Sequence, residues 1–173
     1  IADRDWSSDV CSSDLEDTNK CTPLHFAVKF GHFEFVKLFL ENGANINKED
    51  INKCTPLHFA AKFGRLEIVK LLIEKEANID APNQTGATPI SLACISGHYK
   101  VVELLIQNKA NINIQINTNI QNNLLSIPSD STPLHLALIN KNFKISIAFF
   151  AIGLFFGIAY SLNLLGFVID SQT

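Results

Sequence analysis

The chain has 173 residues, 47% of them hydrophobic and 18% charged, a balance that suits one packed domain and excludes disorder throughout. The net charge of -3 provides no basic field for a nucleic acid. The chain's 4 cysteines are too few for a disulfide-dense secreted scaffold.

Residues 5–15 read DWSSDVCSSDL, which resembles the frame translation of a common short-read sequencing adapter. The plainer alternative is a Ser/Asp-rich disordered tail. Either way residues 1–15 are expected to lie outside the fold, and Trp6 and Cys11 carry no functional weight. Without Asp5, Asp9 and Asp14 the acids and bases balance. On the adapter reading the native N-terminus is missing. The segment has no apolar run that would make a signal peptide.

A repeat governs the middle of the chain. Thr22, Thr55 and Thr88 each open a Thr-Pro dipeptide at a spacing of 33 residues, and Thr132 opens a fourth 44 residues later. About half of segment 22–54 recurs in 55–87: TPLHFA, then KFG, E, VKL, E and ANI. Within one unit Thr22 is a good N-cap and Pro23 a good first helical residue, because proline's missing N–H has no intrahelical partner there. A short helix is predicted to Phe30, with Gly31 as the turn. A second helix is predicted from Phe33 to Glu41, with Gly43 as a left-handed cap. Residues 44–54 read as a polar turn leading to the next Thr-Pro.

Phe35, Val36, Phe39 and Leu40 make one apolar face of the second helix. Ile68, Val69, Leu72 and Ile73, then Val101, Val102, Leu105 and Ile106, occupy the same places. The other face carries Glu34 and Lys37, Glu67 and Lys70, Lys100 and Glu103. One helix pair cannot bury its own apolar face, but stacked neighbours can, so the expected fold is an all-α solenoid.

Thr-Pro-Leu-His at this period, Gly-His before the second helix and Ala-Asn-Ile after it resemble ankyrin repeats. The resemblance spans residues 17–143, with three good units and a partial fourth. It implies stacked helix-turn-helix units joined by β-hairpin-like loops. Residues 16–144 are accordingly read as the repeat domain, with units from Thr22, Thr55, Thr88 and Thr132. Lys20 and Lys53 stand where the family's hairpins usually have glycine, and Gly86 conforms. Glu76 and Lys109 replace the cap glycine of Gly43. A non-glycine residue in a left-handed conformation costs about 1 kcal/mol, so moderate stability is expected.

All 5 histidines fall on repeat positions. The resemblance makes His25, His58 and His135 structural, bonding across neighbouring units; His32 and His98 follow the inter-helix glycine. Adjacent units stand roughly 10 Å apart, so their histidines cannot share a zinc ion that needs bonds near ~2 Å. The same spacing keeps Cys21 and Cys54 beyond disulfide reach. Cys94 reads as a small buried hydrophobe, and free thiols fit a reducing, cytoplasmic compartment. Asn83-Gln84-Thr85 matches a glycosylation sequon that would be idle there. Asn45, Asn47, Asn78 and Asn111 belong to the segment that closes each helix pair. No phosphate loop, catalytic constellation or cofactor motif is visible, so the chain is read as a non-enzyme without a cofactor or metal.

The resemblance implies a concave face, built of hairpin tips and first helices, that binds another protein. The tip positions are Thr18, Asn19 and Cys21, then Ile51, Asn52 and Cys54, then Gln84, Thr85 and Ala87. The first-helix positions are Lys29 and Phe30, Lys62 and Phe63, and Ile95 and Ser96. Phe30 and Phe63 are either interface anchors or packing between first helices. Lys29 and Lys62 hint at an acidic partner.

The fourth unit comes late because Asn-rich residues 114–131 intervene, read as a long loop in preference to a β-ribbon. Ile145–Ile169 then runs without a charge for roughly 37 Å as a helix, longer than the ~30 Å hydrocarbon core. Lys141 and Lys144 before it would keep the repeats on the cytosolic side. Gly153, Gly157 and Ser161 form a small-residue stripe along it. A C-terminal membrane anchor is the favoured reading. A read-through into AT-rich DNA and a long buried capping helix are the rivals. The leading function is a protein-interaction module, membrane-tethered if the anchor is real. The alternatives are a regulatory fragment of a larger membrane protein, an ion channel or acyltransferase, and a microbial effector acting on host proteins.

Overall fold

The computed structural model describes residues 15–114 together with Thr132 and Pro133. The long loop 114–131, apart from its first residue Ile114, therefore falls outside the described residues, as do His135 and the apolar run 145–169. Among the described residues six helices follow in three pairs: α1 (Pro23–Phe30) and α2 (Phe33–Glu41), α3 (Pro56–Lys62) and α4 (Leu66–Glu74), α5 (Pro89–Ser96) and α6 (Tyr99–Gln107). No strand occurs among the described residues.

Each odd-numbered helix starts in the same way. Thr22, Thr55 and Thr88 are N-caps in extended conformation, each followed by proline at the first helical position. The odd helices form one row, with α3 between α1 and α5, and the even helices form a second row, with α4 between α2 and α6. Leu24, Leu57 and Ile90 lie buried at one register position, and Ala27, Ala60 and Ala93 at another. Alanine at the second position lets the inner helices approach closely. Val36, Val69 and Val102 are each 0% exposed and continue the core through the outer row. Fully burying one such aliphatic side chain stabilises by about 1.5–3 kcal/mol, which a single pair could not collect alone.

Two glycine positions are required by geometry. Gly64, at φ 66°, ends the α3 turn, and a Cβ there would stand 2.5 Å from Nδ1 of His98 in the next unit. Gly31, at φ 80°, lies under Arg65 of the following unit, whose guanidinium carbon would be 3.1 Å from such a Cβ. Glycine thus admits both the left-handed backbone and the neighbour's side chain. Glu76 and Lys109 do adopt the left-handed conformation without glycine, at φ 62° and 63°.

One expectation for α2 does not hold. Phe35 is 56% exposed, whereas Ile68 and Val101 in the same position are 3% and 1% exposed. The wall that covers α4 and α6 is the preceding outer helix, and among the described residues no outer helix precedes α2.

Candidate functional site

Three turns project beside the N-terminal ends of the inner helices, and each is built by one side chain. Asp17 Oδ1 accepts from the backbone N–H of Asn19 and Cys21, each at 2.8 Å. Asp50 Oδ1 does the same for Asn52 at 2.9 Å and Cys54 at 2.7 Å. Asn83 Oδ1 accepts from Thr85 and Ala87, both at 2.9 Å. The turns close through Lys20, Lys53 and Gly86 at φ 58°, 58° and 77°, so two lysines occupy the expected glycine place in the left-handed conformation. Adjacent tips are linked by their backbones: Ile51 N–H donates to Asn19 O, and Gln84 N–H to Asn52 O, both at 2.8 Å. The side chains at 19, 51, 52 and 84 are thereby held in a fixed row. Asn83 also donates to Cys54 Sγ at 3.7 Å and accepts from the Thr85 hydroxyl at 2.8 Å, so its sequon amide is engaged in the turn.

A histidine fixes each of the first two tips to the helices behind it. The Thr22 N–H donates to His25 Nδ1 at 3.1 Å, which places the ring proton on Nε2, and Nε2–H donates to Cys54 O at 3.2 Å. His58 repeats this with Thr55 N–H at 3.0 Å and Ala87 O at 3.1 Å. Burial holds both imidazoles below the usual histidine pKa, against the raising effect of the carbonyl bonds. Neutral rings with both nitrogens committed are spacers between units, not bases. In the third unit Ser91 takes the histidine's place and meets the Thr88 hydroxyl at 3.0 Å.

Between the second and third units lies a groove of about 510 Å³. Of the residues expected at the binding face, Asn52, Cys54, Lys62, Gln84 and Thr85 line it. Asn19, Cys21, Lys29, Phe30, Ile51, Phe63, Ile95 and Ser96 do not line it and sit at the matching tip and inner-helix positions around it. Sequence reasoning missed Asp50, His58, Asn83, Phe59 and Leu92 on the lining. The signal for the last two was present: the fifth residue of each Thr-Pro motif stays large and apolar as Phe26, Phe59 and Leu92. Phe59 is half-buried and meets the His25 ring edge-on at 5.3 Å.

The two phenylalanines singled out from the sequence diverge. Phe30 is 57% exposed, while Phe63 is half-buried with its ring 6.4 Å from Phe59. Phe30 is therefore open to a partner, and Phe63 serves packing and surface together. Lys29 Nζ lies 5.6 Å from the Phe30 ring centre and Lys62 Nζ 5.8 Å from that of Phe63. The positive stripe is two residues long, because Ile95 takes the third place.

Cys21, Cys54 and Cys94 are free thiols. Burial pushes all three up in pKa, Cys94 most. A thiol held protonated is a poor nucleophile. Among the described residues no group of three or more His, Cys, Asp or Glu could hold a metal ion.

Family models for ankyrin repeats match three stretches in register with these units: a single repeat at residues 19–51, a three-copy model at 45–116 and a many-copy model at 90–150. The chain belongs to the ankyrin-repeat family. The match to 150 carries the repeat signal into the fourth unit, beyond the described residues. No curated protein matches the chain. Ankyrin repeats in general mediate protein–protein interactions and are typically non-catalytic.

Proposed function

We propose that this ankyrin array captures a protein partner along the row of tips and inner helices, with the groove at Asn52, Lys62 and Gln84 as its centre. The observation that carries this reading is the laddered tip row beside an apolar floor of Phe59 and Leu92. Fixed polar groups around an apolar floor are what an extended or helical peptide segment requires. Lys29 and Lys62 favour an acidic side chain on the partner, and Phe30 offers an exposed anchor next to them. The three free cysteines of the described residues suit a reducing compartment, which supports a cytosolic setting for the module.

A photo-crosslinking residue at Gln84 or Asn52 is expected to capture a partner from cell extract, whereas one at the exposed Glu103 of α6 captures none. Phe30→Ala with Phe63→Ala is expected to abolish that capture while the helix content stays. Equal capture from Gln84 and Glu103, or capture unchanged by the double variant, would contradict the site.

A second reading rests on the 25 uncharged residues of Ile145–Ile169: the module is tethered to a membrane, alone or as the regulatory part of a larger membrane protein. Among the described residues no helix is long and apolar enough to cross a membrane, and that run lies outside them. Retention in the membrane pellet after alkaline carbonate extraction is the expected result. Recovery in the soluble fraction would remove the tether.

A further inference from the structure

The two rows of helices place their charges differently. None of α1, α3 and α5 carries an aspartate or glutamate, whereas α2, α4 and α6 each carry at least one. On the outer row Lys37 pairs with Glu41 at 3.9 Å and Lys70 with Glu67 at 3.2 Å. Lys29 and Lys62, in the last turns of α1 and α3, have no ion pair among the described residues. Each is steadied instead against the ring that follows it, Phe30 or Phe63. The acid on the groove lining, Asp50, is 7% exposed, and its Oδ1 accepts from two backbone N–H groups of its own turn. The third unit has Ile95 at the lysine position and Leu92 at the position of Phe59. The inner face therefore changes along the array, from a basic, aromatic stretch over two units to a neutral, aliphatic one over the third.

The interval between units limits what can follow this change. Helices packed side by side recur about every 8–10 Å. A polyproline II chain returns to the same face at every third residue, after about 9 Å. Two turns of an α-helix, about 11 Å, come close as well. The tips decide between them. Asn19, Asn52 and Gln84 are exposed, and their side-chain amides make no hydrogen bond among the described residues. A primary amide both donates and accepts. Such groups match a backbone whose own N–H and C=O are free, as in polyproline II, whereas a helix would leave them idle.

We infer that the segment captured on this face belongs to another protein and lies in polyproline II conformation, with two acidic residues and then an aliphatic one at every third place. The first acid meets Lys29, the second meets Lys62, and the aliphatic side chain rests on Leu92 and Ile95. The tip amides hold the backbone between them. Aromatic-lined surfaces suit such a chain, because it is preformed and loses little entropy on docking. The occupant is not supplied by this chain, since no two acids in residues 1–14 or 115–173 stand three apart. It depends on the partner site at this face and gives that partner its chemistry.

The test is selection from a random peptide display library on the full chain in mild detergent. Enriched peptides are expected to share the two acids and the aliphatic residue at that interval. A synthetic peptide of this pattern is then titrated by fluorescence anisotropy. Lys62→Glu is expected to weaken binding roughly tenfold with helix content unchanged, because Lys62 is exposed. A peptide with lysine for its second acid is expected to recover that loss, and one with lysine for its first acid is not. Lys70→Glu on the outer row is expected to change binding by less than about twofold.

Peptides that need Phe30 and Gln84 but carry no acid pair at this interval would leave the partner site standing and overturn the inference. Acids seven apart, in peptides that gain helix on binding, would overturn it likewise. No enrichment, or peptides indifferent to Phe30→Ala with Phe63→Ala, would bring down the partner site and the inference together. Binding that tightens when residues 1–14 are deleted would assign the lysines to the chain's own aspartates and overturn it too.

Discussion

The first and second units share more of their sequence than any other pair, yet the same register position has opposite fates in them. Ile68 of α4 is 3% exposed, and Phe35 of α2, one repeat earlier, is 56% exposed. Both helices are nine residues long and carry their apolar residues at the same spacing. Burial in this array is thus a property of the neighbour rather than of the helix. A stripe that recurs in phase states where a wall is needed, and the adjacent unit decides whether it is there.

Substitution can break this comparison most sharply at the pair itself. Ile68→Ala removes a buried side chain between two outer helices and is expected to destabilise by about 2–5 kcal/mol in urea unfolding. Phe35→Ala, at the equivalent position, is expected to stay within about 0.5 kcal/mol of the parent. Similar losses for both would mean that α2 is covered after all.

The glycines sharpen the same contrast. Gly64→Ala combines a left-handed backbone with a clash against His98 and is expected to cost about 3 kcal/mol. Gly43→Ala meets nothing within 4 Å and should cost only the backbone strain, about 1 kcal/mol. Thermal unfolding of the two variants side by side measures the difference.

The histidine spacers come next. His58→Ala leaves the Thr55 N–H and the Ala87 carbonyl without their bridge and is expected to cost about 1–3 kcal/mol. The pH dependence has a definite sign. The folded-state pKa of His25 and His58 is lowered, so their contribution is fully present above the ordinary value of 6.5 and is lost as pH falls below it, when the unfolded chain binds the extra protons. Removing His58 should flatten the stability profile below that point; a profile unchanged by the variant would show that this ring does not titrate as described. The smallest expected effect is favourable: Glu76→Gly should stabilise by about 0.5–1 kcal/mol by relieving the left-handed strain at φ 62°.

Much of this is legible in the sequence, for identifiable reasons. Thr-Pro fixes a helix start through a cap and a missing N–H, and a glycine period fixes where the chain turns. Lys20, Lys53, Glu76 and Lys109 replace glycine in an otherwise strict register, which marks them as left-handed, and all four have positive φ. The failures share one cause. Phe35 reads as core because a stripe does not reveal a missing neighbour. Phe59 and Leu92 escape notice as groove lining because an apolar residue inside a helical motif reads as core until the tip opposite is placed. Phe30 and Phe63 look equivalent in sequence, and they separate in the fold: the half-buried Phe63 ring lies 6.4 Å from Phe59, whereas Phe30 and Phe26 are 57% and 39% exposed.

The claim beneath all of this is that each valine of the outer row is walled in by the adjoining pair while the aromatic ring next to it in α2 faces water. Relaxation of side-chain NMR signals by a soluble paramagnetic agent reads that directly. Negligible enhancement is expected at the methyl groups of Val36, Val69 and Val102 and strong enhancement at the ring of Phe35. Enhancement at Val69 as large as at Phe35 would contradict it.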